Sequence, residues 1–329
     1  MLRRDMVYRS VLGPYFKRYL EMKASIGRTS LQPYYILREF DDFAVEYGLQ
    51  DPHITEDFIN AWRKSRIDSG ERSMYMKNCV WSQLTSMMSR NGCSCFVPRI
   101  PRCPQSNFVP YIFTREEIAA IFDFADSMRA QRGYMSNHLF SLPIILRVLY
   151  ATGARIGELM AVNNGDIAWD RRYIHLKKTK NGHERILPMS ASLYGALTAY
   201  CGYRDRLPLK GSKDSDAPFF IKPDGHRVTA ENIGRSFRRI LEGVGTPSLG
   251  QDKGPRLHDI RHTFAVHSLV NMSRKGLDLY VSLPVLSAFL GHRSIEATEK
   301  YVRLTKIAYP EVLDKWEAVA SQIFPAHEN

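Results

Sequence analysis

Prolines at positions 98, 101, 104 and 110 fall inside one short stretch, Val97-Pro98-Arg99-Ile100-Pro101-Arg102-Cys103-Pro104-Gln105 and the residues just after it. No helix can run through this stretch. Proline has no amide hydrogen to donate, and its ring clashes with the turn before it. The segment is therefore extended, and it divides a chain of 329 residues into two blocks, each of domain size.

The block before the break, residues 1–97, reads as helical. Tyr35, Leu37, Phe40, Phe43, Ala44 and Tyr47 recur at helical spacing, which predicts a helix over Tyr34–Tyr47. Similar patterns predict helices over Ile54–Ile67 and Ser73–Ser89, with Gly48, Gly70 and Gly92 as stops. The block after the break, residues 111–329, mixes helices with one hairpin. Thr114-Arg115-Glu116-Glu117 is a capping box ahead of an apolar run. Leu139–Tyr150 reads as an apolar helix interrupted by Pro143. Arg172–Leu176 and Glu184–Pro188 read as strands joined through Asn181-Gly182, a pair suited to a tight hairpin turn. Helices are expected again over Thr229–Gly243, Arg256–Asn271, Pro284–Leu290 and Ser294–Thr305. A last one, Tyr309–Phe324, would put Val312, Trp316, Val319 and Ile323 on one face. The expected fold is mainly α with a small β-sheet: a helical domain 1–97, a Pro-rich linker 98–110, and an α+β domain 111–329 that ends in the 309–324 helix.

Lys and Arg outnumber Asp and Glu, 46 to 34, for a net charge of +12, and both blocks are basic. Such a chain suits a polyanion, because surface Lys and Arg displace the counterions of nucleic acid. No run of about 18 apolar residues is present, so no membrane-spanning helix is expected. The basic N-terminus is not followed by an apolar signal core, so a cytoplasmic location is expected. Cys93, Cys95 and Cys103 lack paired zinc spacing and a nearby histidine, so no metal site is expected.

The residues able to do chemistry are scattered. Arg155 follows Ala151-Thr152-Gly153-Ala154, and Lys180 lies in the hairpin between the two strands. His258 and Arg261 sit at i and i+3, on one face of a helix. His292 follows Leu290-Gly291, and Tyr301 comes nine residues later. Singly each has an ordinary role: surface charge, helix cap or half-buried ring.

Together they resemble the tyrosine recombinase (phage integrase) family. Its pattern is an Arg after Thr-Gly-x, a hairpin Lys, His-x-x-Arg, Leu-Gly-His and a Tyr nine residues further on. The resemblance covers nearly all of residues 111–305 and the layout of the helical block. It implies a site-specific DNA recombinase, with residues 1–97 as a core-binding domain that clamps DNA. Arg155, Lys180, His258, Arg261, His292 and Tyr301 would be catalytic, with Glu158 supporting the first arginine. Gly157, and Asn163-Asn164, depart from the commoner family residues without removing a catalytic group.

The chemistry explains these residue types. Tyr301 would attack a phosphodiester, leaving a 3′-phosphotyrosine and a free 5′-hydroxyl, and a phenol must lose its proton as it attacks. His258 is the candidate acceptor. Arg155 and Arg261 would hold the charge that develops on the non-bridging oxygens, with a further hydrogen bond from His292. Lys180 would protonate the leaving oxygen, although Lys177 and Lys178 are close by. Neither a cofactor nor a divalent ion is called for. Further DNA contacts are expected from Lys177, Lys178, Arg235, Arg238, Arg239, Arg63, Lys64 and Arg66, and from Arg99 and Arg102 along the Pro-rich strap. The implied partner is double-stranded DNA carrying specific sites, bound by a homotetramer or a hetero-assembly with related recombinases. The alternatives are relaxation of DNA in the manner of a type IB topoisomerase, and a DNA-binding factor without catalysis.

Overall fold

The computed structural model describes residues 7–27, 31–105, 109–128, 137–177, 182, 184–246, 254–292, 294 and 296–309. The chain divides into two compact units, residues 1–108 and 109–329.

The first unit is built from α1 (Gly13–Ser25), α2 (Gln32–Tyr47), α3 (Glu56–Ser65) and α4 (Glu71–Arg90). Its interior is aromatic. Phe40 stacks on Trp81 at 3.7 Å between ring centroids, and Trp62 meets Phe40 edge-on at 5.1 Å. α3 opens where Thr55 accepts a hydrogen bond from the Phe58 amide, with Glu56 and Asp57 in its first turn and Arg63 and Lys64 in its last. That charge order suits the helix dipole. α1 was not foreseen. It buries Phe16 and Tyr19, but its apolar positions are spaced among Lys17, Arg18, Glu21 and Lys23, too thin a stripe to stand out. The Pro-rich segment is extended along this unit. The Phe96 amide donates to the Ile54 carbonyl at 2.8 Å, Pro98 is buried, and Arg72 Nη1 donates to Cys103 Sγ at 2.8 Å.

The second unit contains α5 (Arg115–Ser127), α6 (Leu142–Thr152), α7 (Ile156–Leu159), strands β1 (Ile167–Ala168), β2 (Tyr173–Leu176) and β3 (Arg185–Pro188), then α8 (Ala191–Arg204), α9 (Ala230–Gly243), α10 (Asp259–Arg274), α11 (Leu279–Leu290) and α12 (Glu296–Ala308). The capping box is present, with Thr114 and Glu117 each satisfying the other's backbone amide. The sheet is antiparallel in the order β1-β2-β3, with Ile174 opposite both Ile167 and Leu187, and Leu176 opposite Arg185.

Several boundaries differ from expectation. Pro143 does not interrupt a helix: it lies in the first turn of α6, where a missing amide costs nothing. Residues 138–140 form a separate 3₁₀ turn. Arg172 has φ 53° and ends the turn before β2 instead of joining the strand. α11 starts before Pro284 and runs through it, because Asp278 caps the Val281 amide and nucleates the helix upstream. α10 begins at Asp259, which makes His258 its N-cap. The two-residue β1 and the weakly amphipathic α8 carried no readable pattern. The 309–324 helix lies outside the described residues apart from Tyr309.

α10 is the central helix of the second unit and packs against α6, α11 and α12. Its N-terminal turn faces the C-terminal ends of α6 and α11, where Arg261 meets the Gly153 and Leu290 carbonyls.

Candidate active site

Helix ends carry Arg155, Arg261 and His292 to the site, a strand carries Arg185, and Tyr301 comes from within α12. α6 stops at Gly153, whose φ of 59° is left-handed, and a Cβ there would lie 2.3 Å from Phe264 Cδ1. Only glycine fits both conditions. The chain then turns into α7, with Arg155 as N-cap and Glu158 two residues inside the helix. Arg155 Nη1 donates to Glu158 Oε1 at 2.9 Å, and Arg185 Nη2 from β3 donates to Glu158 Oε2 at 2.7 Å. The Glu158 side chain is only 4 % exposed. Burial alone would raise its pKa, but the Arg185 and Arg155 guanidiniums outweigh it and hold the carboxyl below its ordinary value.

Arg261 projects from the first turn of α10 and is buried. Its Nη1 donates to the Gly153 carbonyl at 2.6 Å and its Nη2 to the Leu290 carbonyl at 2.8 Å. These are the C-terminal ends of α6 and α11, where helix dipoles favour a cation. Burial, then the nearby Arg155, pushes Arg261 down to about 10, which leaves it charged at neutral pH.

α11 ends at Gly291, again left-handed with φ 65°, and His292 follows. Arg261 Nη2 lies 3.1 Å from His292 Nε2, and Thr298 Oγ1 lies 2.8 Å from His292 Nδ1. Arginine can only donate, so Nε2 accepts and the neutral ring carries its proton on Nδ1, facing Thr298. Burial, then Arg261 and Lys300, pushes this histidine down to about 4. The His292 ring lies nearly parallel to that of Tyr301, at 6.1 Å and 10°.

Tyr301 is fully buried in α12. Its Oη lies 3.0 Å from His262 Nδ1. Burial raises the phenol, and the Arg261 and Arg155 charges oppose that rise. The Lys300 ammonium sits 5.1 Å from the centre of the Tyr301 ring.

Arg155, Arg261, His292 and Tyr301, with Glu158, are thus brought together. His258 is placed differently. It is exposed at the rim of the site, and its ring meets His262 edge-on at 4.9 Å. It is the N-cap of α10, with helical backbone angles, and its carbonyl accepts from the Arg261 amide at 3.0 Å. Desolvation by the surrounding protein, then Arg261 and Arg155, pushes its pKa down to about 4.

Lys180 and Lys178 lie outside the described residues. Lys177 is exposed and paired with Asp166 Oδ1 at 2.6 Å. On α9, Arg235, Arg238 and Arg239 are exposed, with Arg235 3.6 Å from Glu231. In the first unit Lys64 is exposed, whereas Arg63 turns onto Asn78 and Asn60 and Arg66 onto Glu39. Arg99 and Arg102 are exposed.

Two residues of the cluster were not singled out from sequence, Arg185 and His262. Arg185 shares a strand face with buried Leu187, and a charge at a core-facing strand position was the available signal. His262 stands one helical turn after His258, next to Arg261, and only the fold shows that it meets Tyr301.

The model of the phage integrase family matches residues 112–307. A Sinorhizobium fredii protein named as an integrase/recombinase is 26% identical over 320 residues, covering 92% of this chain and 96% of its own length. The tyrosine recombinase XerC of a Roseiflexus species is 32% identical over 195 residues, 54% of this chain and 56% of its own. Among solved structures, a lambda integrase tetramer bound to a Holliday junction shares the fold with a TM-score of 0.61 at 18% identity, covering 88% of this chain and 76% of that one. XerH recombinase bound to a palindromic difH substrate aligns with a TM-score of 0.61 at 17% identity, covering 86% of this chain and 78% of that one. With its family model spanning more than half its length, the chain belongs to the phage integrase family, and it is a tyrosine-type site-specific recombinase that breaks and rejoins DNA.

Proposed function

We propose that Tyr301 is the nucleophile of this recombinase and that Arg155 and Arg261 bind the scissile phosphate. The observation that carries this reading is the convergence of two guanidiniums, a neutral histidine and a phenol from four separate chain segments. Glu158 orients Arg155, and the Gly153 and Leu290 carbonyls fix Arg261. Two positioned cations beside one hydroxyl are suited to a pentavalent phosphorus whose charge grows on its non-bridging oxygens. His292 would add a hydrogen bond there once its Nε2, which here accepts from Arg261, carries the proton. Lys180 is the proposed acid for the departing 5′-oxygen, which is a poor leaving group as an alkoxide. The covalent phosphotyrosine conserves the energy of the broken bond, so rejoining needs no nucleotide.

Tyr301 has no exposed surface in this DNA-free arrangement. A phosphate therefore reaches its oxygen only after neighbouring side chains open. The substrate is proposed to be cytoplasmic double-stranded DNA with specific recombination sites, held as two duplexes in a homotetramer, by likeness to the lambda integrase assembly. The exposed arginines of α9, Lys64, Arg99 and Arg102 are proposed phosphate contacts.

A nicked suicide substrate tests the central assignment, since it traps the protein on DNA. Wild type forms the adduct and Tyr301→Phe does not; an adduct from the Phe variant removes Tyr301 as nucleophile. Lys180→Ala cleaves slowly and recovers on a substrate with a 5′-bridging sulfur. Mass photometry on site-bearing duplexes tests the tetramer.

A further inference from the structure

We propose that His262 is the group that takes the phenolic proton of Tyr301 during attack, a role for which the family resemblance makes His258 the candidate. This inference rests on the reading of Tyr301 as nucleophile and concerns which side chain serves its oxygen.

Three observations support it. First, His262 Nδ1 is 3.0 Å from Tyr301 Oη, with both side chains buried. Second, His258 stands one ring further out: it is exposed and meets the His262 ring edge-on at 4.9 Å. Third, the phenol has one hydrogen. With that hydrogen directed at His262, the oxygen's lone pairs are left for phosphorus.

The charged and titratable groups facing His262 are His258, Arg256 and Arg261 from its own stretch of chain, and Tyr301 and Lys300 from α12. Burial, followed by these neighbours, keeps the ring neutral, and a neutral ring with its proton on Nε2 offers Nδ1 as an acceptor. An arriving phosphodiester brings negative charge next to Arg261. That offsets part of the positive field and makes the ring a better base when the base is needed.

The step balances. The Tyr301 O–H bond breaks and its proton goes to His262 Nδ1, forming an imidazolium. The Tyr301 oxygen bonds to phosphorus, the bond from phosphorus to the 5′-oxygen breaks, and that oxygen takes a proton from the leaving-group acid proposed above. In rejoining, the imidazolium returns its proton to the phenolate as Tyr301 leaves.

The experiment is single-turnover cleavage of a nicked suicide substrate by the full chain, across pH, with DNA binding measured in parallel. His262→Ala and His262→Asn are compared with His258→Ala and Tyr301→Phe. Asparagine can accept the phenol's hydrogen bond but cannot take its proton. Both His262 variants are expected to bind DNA like wild type and to cleave about 100-fold more slowly, the lower range of a general-base effect. Their rates should climb with pH as hydroxide replaces the lost base, whereas wild type stays flat. Wild-type rates from His262→Asn would reduce the residue to a positioning role and overturn the proposal. So would an undiminished His262→Ala, or the pH slope appearing in His258→Ala and not in the His262 variants. If Ala impairs binding, the Asn variant decides. An adduct from Tyr301→Phe would instead overturn the nucleophile reading itself, an outcome separable from all of these.

Discussion

The two sides of the site are held by different physics. On the arginine side, one buried carboxylate, Glu158, takes a hydrogen bond from each of two guanidiniums, and Arg261 is fixed by two helix-end carbonyls. Every group there is charged or strongly dipolar, and its place is set before any phosphate arrives. On the tyrosine side, Tyr301 and His262 are buried and His292 is half-buried, and both histidines are pushed far below their ordinary range, to about 3 and about 4. This side is neutral and sheltered. The contrast suits the division of labour: the charge-binding half is preorganised, while the nucleophile is kept covered until used.

Arg261 touches both sides, so removing it should have the largest effect. Arg261→Ala deletes a phosphate ligand, which costs about 10²–10³ in rate at comparable sites. It also strips the Gly153 and Leu290 carbonyls of their donor, at about 1–3 kcal/mol each for a buried orphan. Adduct formation and thermal melting measure the two losses separately. Arg261→Lys retains the charge but cannot reach both carbonyls in the same geometry. If Lys restores full activity, charge alone holds this side and the picture of a fixed fork fails.

Gly153→Ala attacks the arginine side through packing. Its Cβ would overlap Phe264 at 2.3 Å and crowd Leu290 at 3.0 Å, at a left-handed φ of 59°. A loss of about 2–4 kcal/mol in stability is expected from strain and overpacking together, read in a denaturant melt. The Tyr301–His262 contact is elsewhere, so residual cleavage by the folded fraction should keep the wild-type pH profile. A changed profile would mean that the two sides are not separable.

Glu158→Gln sharpens the comparison through pH. The Glu158 carboxyl is held below its unfolded value, so its contribution to stability is present above the unfolded pKa and is lost as pH falls through the folded one. The variant should cleave about tenfold more slowly at neutral pH and lose part of the acid-side decline in melting temperature. The buried histidines add to that decline. His262 and His267, pushed down to about 3 and about 4, stabilise the fold above about pH 6.5, the ordinary histidine value, and lose that contribution as pH falls toward their folded values. His262→Asn should therefore flatten the melt-versus-pH curve between those limits, which calorimetry across pH can check.

The arginine side was more legible in the sequence than the tyrosine side, and the reason is local. Arg155 and Glu158 sit in one short turn, and Gly153 and Gly291 mark the helix ends that place Arg155 and His292. Such signals are contiguous. The His262–Tyr301 contact joins residues 39 apart, and nothing in either neighbourhood points to the other. Arg185 is similar, reaching Glu158 across 27 residues from a strand. The helical blocks were visible where apolar stripes were wide, as in α2 and α4, and were missed in α1, where charge interrupts the stripe. The start of α10 was read at Arg256 instead of Asp259, because helix starts are least certain at their caps.

The smallest effect should come from residues outside both sides. Arg238 is exposed on α9, and among the described residues it has neither a buried partner nor a place in the catalytic cluster. If it meets a phosphate, Arg238→Ala releases about one counterion fewer on binding, and the slope of log affinity against log salt falls by about 1. Affinity should drop uniformly across DNA sequences, since a phosphate carries no base identity. The cleavage rate of the bound complex should not change, because neither the guanidinium fork nor the covered phenol has been touched. Binding measured over a salt series, beside cleavage at saturating protein, separates the two quantities. A lower rate with an unchanged slope would place Arg238 in contact with the catalytic cluster, and would extend the charged side of the site as far as α9.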